Sequence, residues 1–295
     1  MSDFRLKVFQ SVAKNLSFTK ASQELFVSQP AITKHIQELE ATYQTRLFDR
    51  QGSKISLTES GRLLLEHCER ILEDYKRLEY EMHLLHNEYI GELKLGASTT
   101  IAQYVLPPLL GSFISKFPQV NLSLLNGNSR EIEAALQEHR IDLGLVEGVF
   151  RLPNLKYTTF LEDELVAVVH SKSRLQLPEE ITPQDLPAIP LVLRERGSGT
   201  LDVIERSLQK HGVKLSSLHV LMYLGSTESI KLFLENSDCM GIVSIRSICK
   251  ELAAGTFRVV EIKDMPMLRD FCFVQLQGQE GGLSQAFMNY MFMSR

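Results

Sequence analysis

Hydrophobic and polar positions divide the 295-residue chain into three stretches. Near the amino end, apolar residues recur at helical spacing, as at Ile32, Ile36 and Leu39. From 59 to about 88 the same spacing runs through one long charged segment. After Gly91, short apolar runs typical of strands alternate with helical patterns. The elements expected there include strands at Leu165–His170 and Leu191–Arg194 and helices near 101–117 and 227–235. This order predicts an α/β protein with a helical N-terminal domain, a long helix and a C-terminal domain built on a mostly parallel sheet.

Residues 18–39 are predicted to form two short helices joined by a tight turn. Thr19 is the candidate cap of the first helix and Ser28 that of the second, since their hydroxyls can accept a backbone N–H. The polar side of the second helix can reach base edges or phosphates in a major groove. An ordinary helical hairpin in a core is the alternative. The candidate DNA-binding residues are Ser28, Gln29, Pro30, Ala31, Thr33, Lys34 and Gln37.

A short hairpin is predicted next, with Arg50 and Lys54 at its tip as further DNA-contacting candidates. Residues 1–58 contain eight Lys and Arg against five Asp and Glu, a net charge of +3, whereas the whole chain carries −4. The local charge matters more than the total, because phosphate attraction is screened within about 8 Å at physiological salt. Both features favour a winged helix-turn-helix DNA-binding domain over residues 1–58.

The long helix, predicted over residues 59–89, has an apolar seam with alternating spacings of four and three. This pattern is typical of a coiled coil and predicts dimerisation along the seam. The alternative is that the stripe packs against its own chain. Cys68 and Tyr89 lie on the same seam, and the residues predicted to dimerise are Leu64, Ile71, Tyr75, Leu78, Met82 and Leu85.

Residues 90–295 are interpreted as a two-lobed effector-binding domain, with lobe I at about 90–162 and 268–295 and lobe II at about 163–267. Each lobe has one loop that follows a strand and opens a helix, at Ser98–Thr100 in lobe I and Arg196–Thr200 in lobe II. Free backbone N–H groups at the start of a helix favour anions. One such loop per lobe could grip a small anion across the cleft, although plain helix capping is the alternative. Glu147 would repel an anion, so it is expected to contact a donor group or a partner subunit. The effector-binding candidates are Ser98, Thr99, Thr100, Ser129, Glu147, Ser198, Gly199, Thr200 and Thr227.

The chain resembles the LysR-type transcriptional regulators over essentially its full length. The resemblance is strongest from Phe9 to Gly61, in the motifs Val-Ser-Gln-Pro-Ala-Ile-Thr, Leu-Phe-Asp-Arg and Leu-Thr-Glu-Ser-Gly. It implies a linker helix that pairs two protomers, an effector domain similar to periplasmic solute-binding proteins, and homodimers that pair into homotetramers. The implied partners are double-stranded DNA, a small-molecule effector and RNA polymerase. The family often has Ser then Arg where this chain has Thr33 and Lys34, and Lys lacks the bidentate fork of Arg.

No residue set argues for catalysis, for a metal site or for a cofactor other than the effector. The Gly-Ser-Gly-Thr stretch is not a nucleophile elbow, and neither a P-loop nor a dinucleotide-binding motif occurs. No apolar run reaches the ~18–20 residues of a membrane span, and the first residues lack a secretory core, so a cytoplasmic protein without a membrane partner is expected. Among the cysteines, a redox switch of Cys239 and Cys249 is the alternative to plain packing.

The leading hypothesis is therefore a sequence-specific LysR-type regulator controlled by a small, anionic effector bound between two lobes. The competing hypotheses are a small-molecule binding or transport protein and an enzyme that uses the two-lobed fold. The identity of the effector, the operator and the direction of regulation do not follow from the residues.

Overall fold

The computed structural model describes residues 4–51, 54–84, 89–278 and 281–293. The chain separates into two compact units, Met1–Glu88 and Tyr89–Arg295, which are described in turn.

The first unit is a winged helix-turn-helix domain continued by a long helix. Its core is formed by residues such as Phe9, Val12, Ala21 and Ile36, all of them buried. Its elements are the helices α1 Phe4–Asn15, α2 Phe18–Glu24, α3 Gln29–Tyr43 and α4 Glu59–Leu84 and the strands β1 Phe48–Gln51 and β2 Lys54–Leu57.

The caps explain where the two helices of the motif begin. The Ser28 hydroxyl accepts the N–H of Ala31, so α3 begins where the sequence predicts. The predicted Thr19 cap is wrong. The hydroxyl of Ser17 accepts the N–H of Lys20 at 3.2 Å, so α2 begins two residues earlier and Thr19 lies inside its first turn.

Gly61, the last residue of the family-like motif, is required by the packing of α4 on the wing. A Cβ at this position would overlap the carbonyl oxygen of Leu47 and lie 2.9 Å from the Leu57 side chain. The Thr58 hydroxyl accepts the N–H of Gly61 at 2.9 Å, which caps the first turn of α4. Glycine therefore lets the long helix begin directly against the strands.

The second unit has two lobes built on one ten-stranded sheet. In strand order the sheet runs β4-β3-β5-β12-β6-β10-β8-β9, with β11 beside β6 and β7. Its elements are β3 Gly91–Ser98, α5 Thr99–Tyr104, α6 Leu106–Lys116, β4 Val120–Gly127, α7 Ser129–Gln137, β5 Leu143–Glu147, β6 Leu155–His170, β7 Glu180–Ile181, β8 Leu191–Arg194, α8 Gly199–Lys210, β9 Val220–Leu224, α9 Thr227–Glu235, β10 Met240–Ser244, α10 Cys249–Ala253, β11 Phe257–Ile262, β12 Met267–Leu276 and α11 Gly282–Met293.

Each lobe has a parallel core. In lobe I, β3 runs parallel to β4 and β5, and in lobe II, β8 runs parallel to β9 and β10. Separate apolar clusters fill the lobes, one around Phe113 and Phe273 and another around Leu193 and Ile204. The carboxyl ends of β3 and β8 lead directly into α5 and α8, the arrangement in which α/β sheets bind ligands.

Two long antiparallel strands, β6 and β12, connect the lobes and pair over ten residues, from Met267 with Leu165 to Leu276 with Leu155. The expected fold class is thus confirmed: a winged helix-turn-helix, a long helix and a two-lobed α/β domain. Two predicted bounds are wrong. The helix expected over 101–117 is split at Val105, because Pro107 has no N–H to continue α5. The strand expected from Leu165 begins at Leu155.

Candidate DNA-binding surface and effector site

Helix α3 is apolar on its inner side and polar on its outer side. Ile32, Ile36 and Leu39 are buried in the core of the first unit. The side chains predicted to contact DNA lie on the other side, where Ser28, Gln29, Pro30, Lys34 and Gln37 are exposed and Ala31 and Thr33 are half-buried.

Two hydroxyls of this surface are partly engaged within the helix. The Ser28 oxygen accepts the Ala31 N–H at 3.4 Å, which leaves its proton free to donate to an acceptor such as a phosphate oxygen. The Thr33 hydroxyl donates to the carbonyl of Gln29 at 3.1 Å, so only its lone pairs remain for a base-edge donor. The surface therefore combines one free hydroxyl donor, one hydroxyl acceptor and the longer side chains of Lys34 and Gln37.

The wing is present as an antiparallel hairpin. Phe48 pairs with Leu57 and Gln51 pairs with Lys54 in the register of β1 and β2. The side chains of Arg50 and Lys54 lie outside the described part of the structure, and their contact with DNA remains a prediction.

The apolar seam of α4 divides into two parts. Near its start, Leu64 is partly buried and Cys68 fully buried in the core of the first unit, and the Cys68 Sγ donates to the Leu6 carbonyl at 3.3 Å. Farther along, Ile71, Leu78 and Met82 are 40%, 52% and 53% exposed. Tyr75 is half-buried, and Leu85 lies outside the described residues. The first part packs against its own chain, and only the second part is exposed for another protomer.

A buried polar cluster lies where the lobes meet, at the ends of the strands that carry the predicted loops. Its centre is the guanidinium of Arg269, whose Nε is 2.8 Å from a carboxylate oxygen of Asp163. Its Nη1 donates to the Thr200 hydroxyl at 2.8 Å and lies 3.5 Å from the Glu147 carboxylate. The Ser98 hydroxyl donates to the other oxygen of Glu147. This network joins β3 and β5 of lobe I to α8 of lobe II.

A second buried arginine, Arg194, closes the cluster at the end of β8. Its Nε and Nη2 form a bidentate pair with the Glu195 carboxylate at 2.8 and 3.0 Å. The same Nη2 donates to the Thr99 hydroxyl of lobe I at 3.4 Å and to the Gly225 carbonyl at 3.3 Å. Arg194 therefore connects lobe II directly to the predicted Ser98–Thr100 loop.

Several buried polar atoms of the cluster and of α5, which begins beside it, have no partner among the residues that the structure describes. They are Arg194 Nη1, Arg269 Nη2, Thr100 Oγ1 and Gln103 Oε1, all shielded from solvent. An unsatisfied buried donor or acceptor costs about 1–3 kcal/mol, and more when it is charged. These unsatisfied donors and the one acceptor, on both lobes, are suited to a polar ligand.

The remaining predicted effector residues serve the frame of this cluster. The Ser198 hydroxyl caps α8 by accepting the N–H of Thr200 at 3.2 Å. The Ser129 hydroxyl donates to the Glu147 carbonyl at 2.7 Å. Thr227 is buried in the first turn of α9, whose cap is Ser226. Glu147 contacts two donor groups, Ser98 and Arg269, of the kind that its charge predicts.

Sequence reasoning missed Asp163, Arg194, Ser244 and Arg269. The Ser244 hydroxyl donates to Asp163 at 2.7 Å and so completes the burial of that carboxylate. A weak signal was present for Arg194, the charged residue that ends the predicted strand Leu-Val-Leu-Arg. Arg269 lies in a strand with alternating burial, where it occupies a buried position.

A second contact between the lobes lies beside the cluster. The Tyr104 hydroxyl on α5 donates to the Glu228 carboxylate on α9. Lys231, which is itself buried, donates to the same carboxylate at 2.9 Å and lies 2.6 Å from Glu251. Desolvation and the hydrogen bond to Glu228 both raise the pKa of Tyr104 above its ordinary value, so its hydroxyl stays protonated as a donor.

Comparison with known proteins agrees with this architecture. The family model of the LysR substrate binding domain matches residues 86–292, and that of the bacterial regulatory helix-turn-helix protein of the lysR family matches residues 4–62. The HTH-type transcriptional regulator CysL of Bacillus subtilis is 29% identical over 91% of this chain and 89% of its own length. The uncharacterized HTH-type transcriptional regulator YeiE of Escherichia coli is 34% identical over 88% of this chain and 85% of its own.

Among solved structures, the regulatory domain of CcmR from Synechocystis, in complex with 2-PG, is similar to the second unit. It has a TM-score of 0.62 and 28% identity, covering 69% of this chain and 97% of that domain.

A helix-turn-helix unit with a free polar helix face, followed by a two-lobed domain with a buried polar cluster, defines a DNA-binding regulator that responds to a small molecule. The chain belongs to the LysR family of transcriptional regulators. Membership of this family makes double-stranded DNA and a small-molecule effector its partners. None of the helices in the described ranges has both the length and the apolar character needed to cross a membrane.

Proposed function

We propose that this regulator is controlled by a small anion that binds between the lobes and is anchored by Arg194. The observation that carries the proposal is that Arg194 Nη1 has no partner among the described residues, although the Arg194 side chain is only 1% exposed. Another nitrogen of the same guanidinium, Nη2, donates to Thr99 of lobe I. The adjacent Thr100, fully buried, also has a free hydroxyl. Guanidinium and hydroxyl donors together favour a carboxylate or another oxyanion.

Helix α8 adds to the attraction for an anion. Its first turn, Gly199–Leu201, lies in the buried cluster, and the backbone N–H groups at a helix start carry partial positive charge. The loop before it contacts lobe I, because the N–H of Arg130 donates to the Gly197 carbonyl at 3.3 Å. An anion here would contact both lobes, with Thr100 in lobe I and Arg194 in lobe II.

Binding across two lobes gives a mechanism of control. An anion that contacts both lobes binds the closed arrangement more tightly than an open one, and so shifts the population towards closure. In a protein that binds DNA as an oligomer, a change in lobe arrangement alters how the recognition helices are held on successive half-sites. Pairing of dimers into tetramers and contact with RNA polymerase remain predictions.

The anion site can be tested with the full-length protein and a variant that removes the anchor. We expect sulfate, phosphate or acetate to raise the melting temperature of the wild type, and Arg194→Gln to abolish the increase. Arg140→Gln is the matched control, because Arg140 is an exposed residue whose ion pair with Glu138 lies at the surface. Equal stabilisation of Arg194→Gln and wild type would overturn the proposal.

For DNA, we propose that α3 enters the major groove with Lys34 and Gln37 facing the bases and phosphates, and that the wing contacts the DNA backbone. The log of the binding constant should fall with the log of salt concentration, with a slope of about −0.9 for each phosphate contact. Lys34→Ala should reduce that slope by about one if Lys34 meets a phosphate, or relax base preference if it meets a base. Retention of both the slope and the base preference would remove Lys34 from the interface.

We also propose that the protein acts in the cytoplasm, where its DNA lies, and that it binds its effector without converting it or requiring a cofactor. The carboxylates of the cluster support this, since both Glu147 and Asp163 are engaged by Arg269. An enzyme would instead alter the bound molecule. Recovery of the effector unchanged after prolonged incubation, followed by NMR, separates the two alternatives.

A further inference from the structure

The two buried arginines of the cluster differ in how their charge is compensated. Arg194 is paired with one carboxylate, that of Glu195, whose side chain is 27% exposed. Arg269 is paired with two carboxylates, Asp163 at 2.8 Å and Glu147 at 3.5 Å, whose side chains are 0% and 2% exposed.

The exposure of each carboxylate to solvent determines how strongly it compensates the positive charge of its arginine. A partly exposed carboxylate is screened by water, so Glu195 offsets only part of the field that Arg194 produces on its buried side. The two carboxylates beside Arg269 are hidden from water and more than offset its single charge. A further cation, Arg246, lies 3.6 Å from Asp163, but its side chain is 41% exposed and therefore screened as well.

Among the described residues, both arginines nevertheless have a donor without an acceptor, Nη1 in Arg194 and Nη2 in Arg269. At Arg194 the donor is accompanied by residual positive charge. At Arg269 the donor is accompanied by an excess of buried negative charge, which repels a second anionic group while still allowing a hydrogen bond to a neutral oxygen.

We infer that the effector carries a single anionic group, held at Arg194 and Thr100, and a neutral hydrogen-bonding group such as a hydroxyl, amide or ester that meets Arg269. The ligand class is thus a small hydroxylated or acylated monoacid rather than a diacid. This inference rests on the proposed anion site and specifies its chemistry. Glu147 and Asp163 are the specificity-determining residues, because their charges exclude the second acid.

The test compares acids of equal chain length that differ only in the end remote from the carboxylate. The pairs are 3-hydroxypropionate with malonate, 4-hydroxybutyrate with succinate and 5-hydroxyvalerate with glutarate, titrated into the full-length protein by calorimetry. We expect the hydroxy acid of the best-fitting pair to bind at least ten-fold more tightly than its diacid. Tighter binding of the diacid in that pair would overturn the inference while leaving the anion site intact.

A charge-removing variant supplies a second readout. Glu147→Gln keeps the size of the side chain and an oxygen that can accept from Ser98, but removes one negative charge beside Arg269. Its preference should move towards the diacid by at least ten-fold, and Asp163→Asn should move it in the same direction. Glu138→Gln, an exposed change in lobe I, should leave the preference as in the wild type. An unchanged preference in folded Glu147→Gln and Asp163→Asn would contradict the assigned role of the two carboxylates.

These outcomes distinguish a failure of the anion site from a failure of the preference for a monoacid. If neither the six acids nor phosphate or sulfate bind to the wild type, the anion site itself fails, and the inference fails with it. If they bind and Arg194→Gln abolishes binding, the site stands, and the order within each pair decides the inference.

Discussion

Gly199 at the start of α8 lies with its backbone directly against the backbone of Glu147 at the end of β5. A Cβ at position 199 would overlap the Glu147 carbonyl oxygen and lie 2.9 Å from its Cγ. On the other side of this contact, a Cβ at Gly148 would lie 3.2 Å from the Cα of Gly199. The two lobes therefore meet backbone to backbone, next to the polar cluster, at a point where only glycine fits.

Replacing this glycine should open the cleft. Gly199→Ala places a methyl group where the Glu147 carbonyl lies, so the lobes must separate and an anion can no longer contact both. We expect at least a ten-fold loss in affinity for the anion that stabilises the wild type, measured by calorimetry. Gly111→Ala in α6 is the control, because its Cβ meets nothing within 4 Å. Wild-type affinity in Gly199→Ala would show that closure at this point is not needed for binding.

The hydrogen bond between Tyr104 and Glu228 should stabilise the closed arrangement of the two lobes. Tyr104→Phe removes one hydrogen bond to a carboxylate, which is worth about 1.5–3 kcal/mol in a buried setting and less at a half-buried one. We expect a two- to ten-fold weaker affinity for the same anion, without loss of the fold. Tyr223→Phe, on the exposed strand β9, should have no effect. Wild-type affinity in Tyr104→Phe would show that this hydrogen bond does not contribute to closure.

The exposed part of the α4 seam should hold two protomers together. Ile71→Asp combined with Leu78→Asp places charges on positions that are exposed within one chain, so the monomer should fold while the dimer separates. Light scattering at micromolar concentration should report monomers that bind DNA weakly. Leu63→Asp is the control, since Leu63 is 60% exposed on the same helix but lies off the seam. Retained dimers in the double variant would place the interface elsewhere.

The thiols should differ sharply in reactivity. Burial raises the pKa of Cys68 to about 12 and also raises that of Cys239, so neither forms much thiolate at neutral pH. Cys272 is buried, and Cys249 is exposed. We expect one fast-reacting thiol per native chain with a disulfide reagent, absent in Cys249→Ser, and four after denaturation. Two fast thiols in the native protein would instead favour the redox switch of Cys239 and Cys249.

Much of the fold follows from local patterns in the sequence. The segments Leu191–Arg194 and Thr227–Glu235 have the bounds that their apolar spacing predicts, since each is bordered by polar or turn-forming residues. Long-range pairing explains the main omission. The middle of β6 contains Glu162, Asp163 and Glu164, which disfavour a buried strand. Asp163 can be buried because Arg269, 106 residues later, pairs with it.

The effector site shows the same division. The loops at Ser98–Thr100 and Ser198–Thr200 could be found, because a strand followed by hydroxyl residues and a helix is a local signature. The two arginines could not be assigned from the sequence, because the role of a charged residue in an apolar strand depends on partners that lie in other elements. Arg194 meets Thr99 of the opposite lobe, and Arg269 meets Glu147 and Thr200 from both lobes.

The most direct measurement is a crystal structure of the full-length protein grown with selenate, whose anomalous signal locates a tetrahedral oxyanion without bias. We expect a selenium peak between the lobes, with the selenate oxygens within hydrogen-bonding distance of Arg194 Nη1 and the Thr100 hydroxyl. Loss of the peak in Arg194→Gln crystals would complete the assignment. Selenate bound only at other positions, or bound equally in the variant, would contradict it.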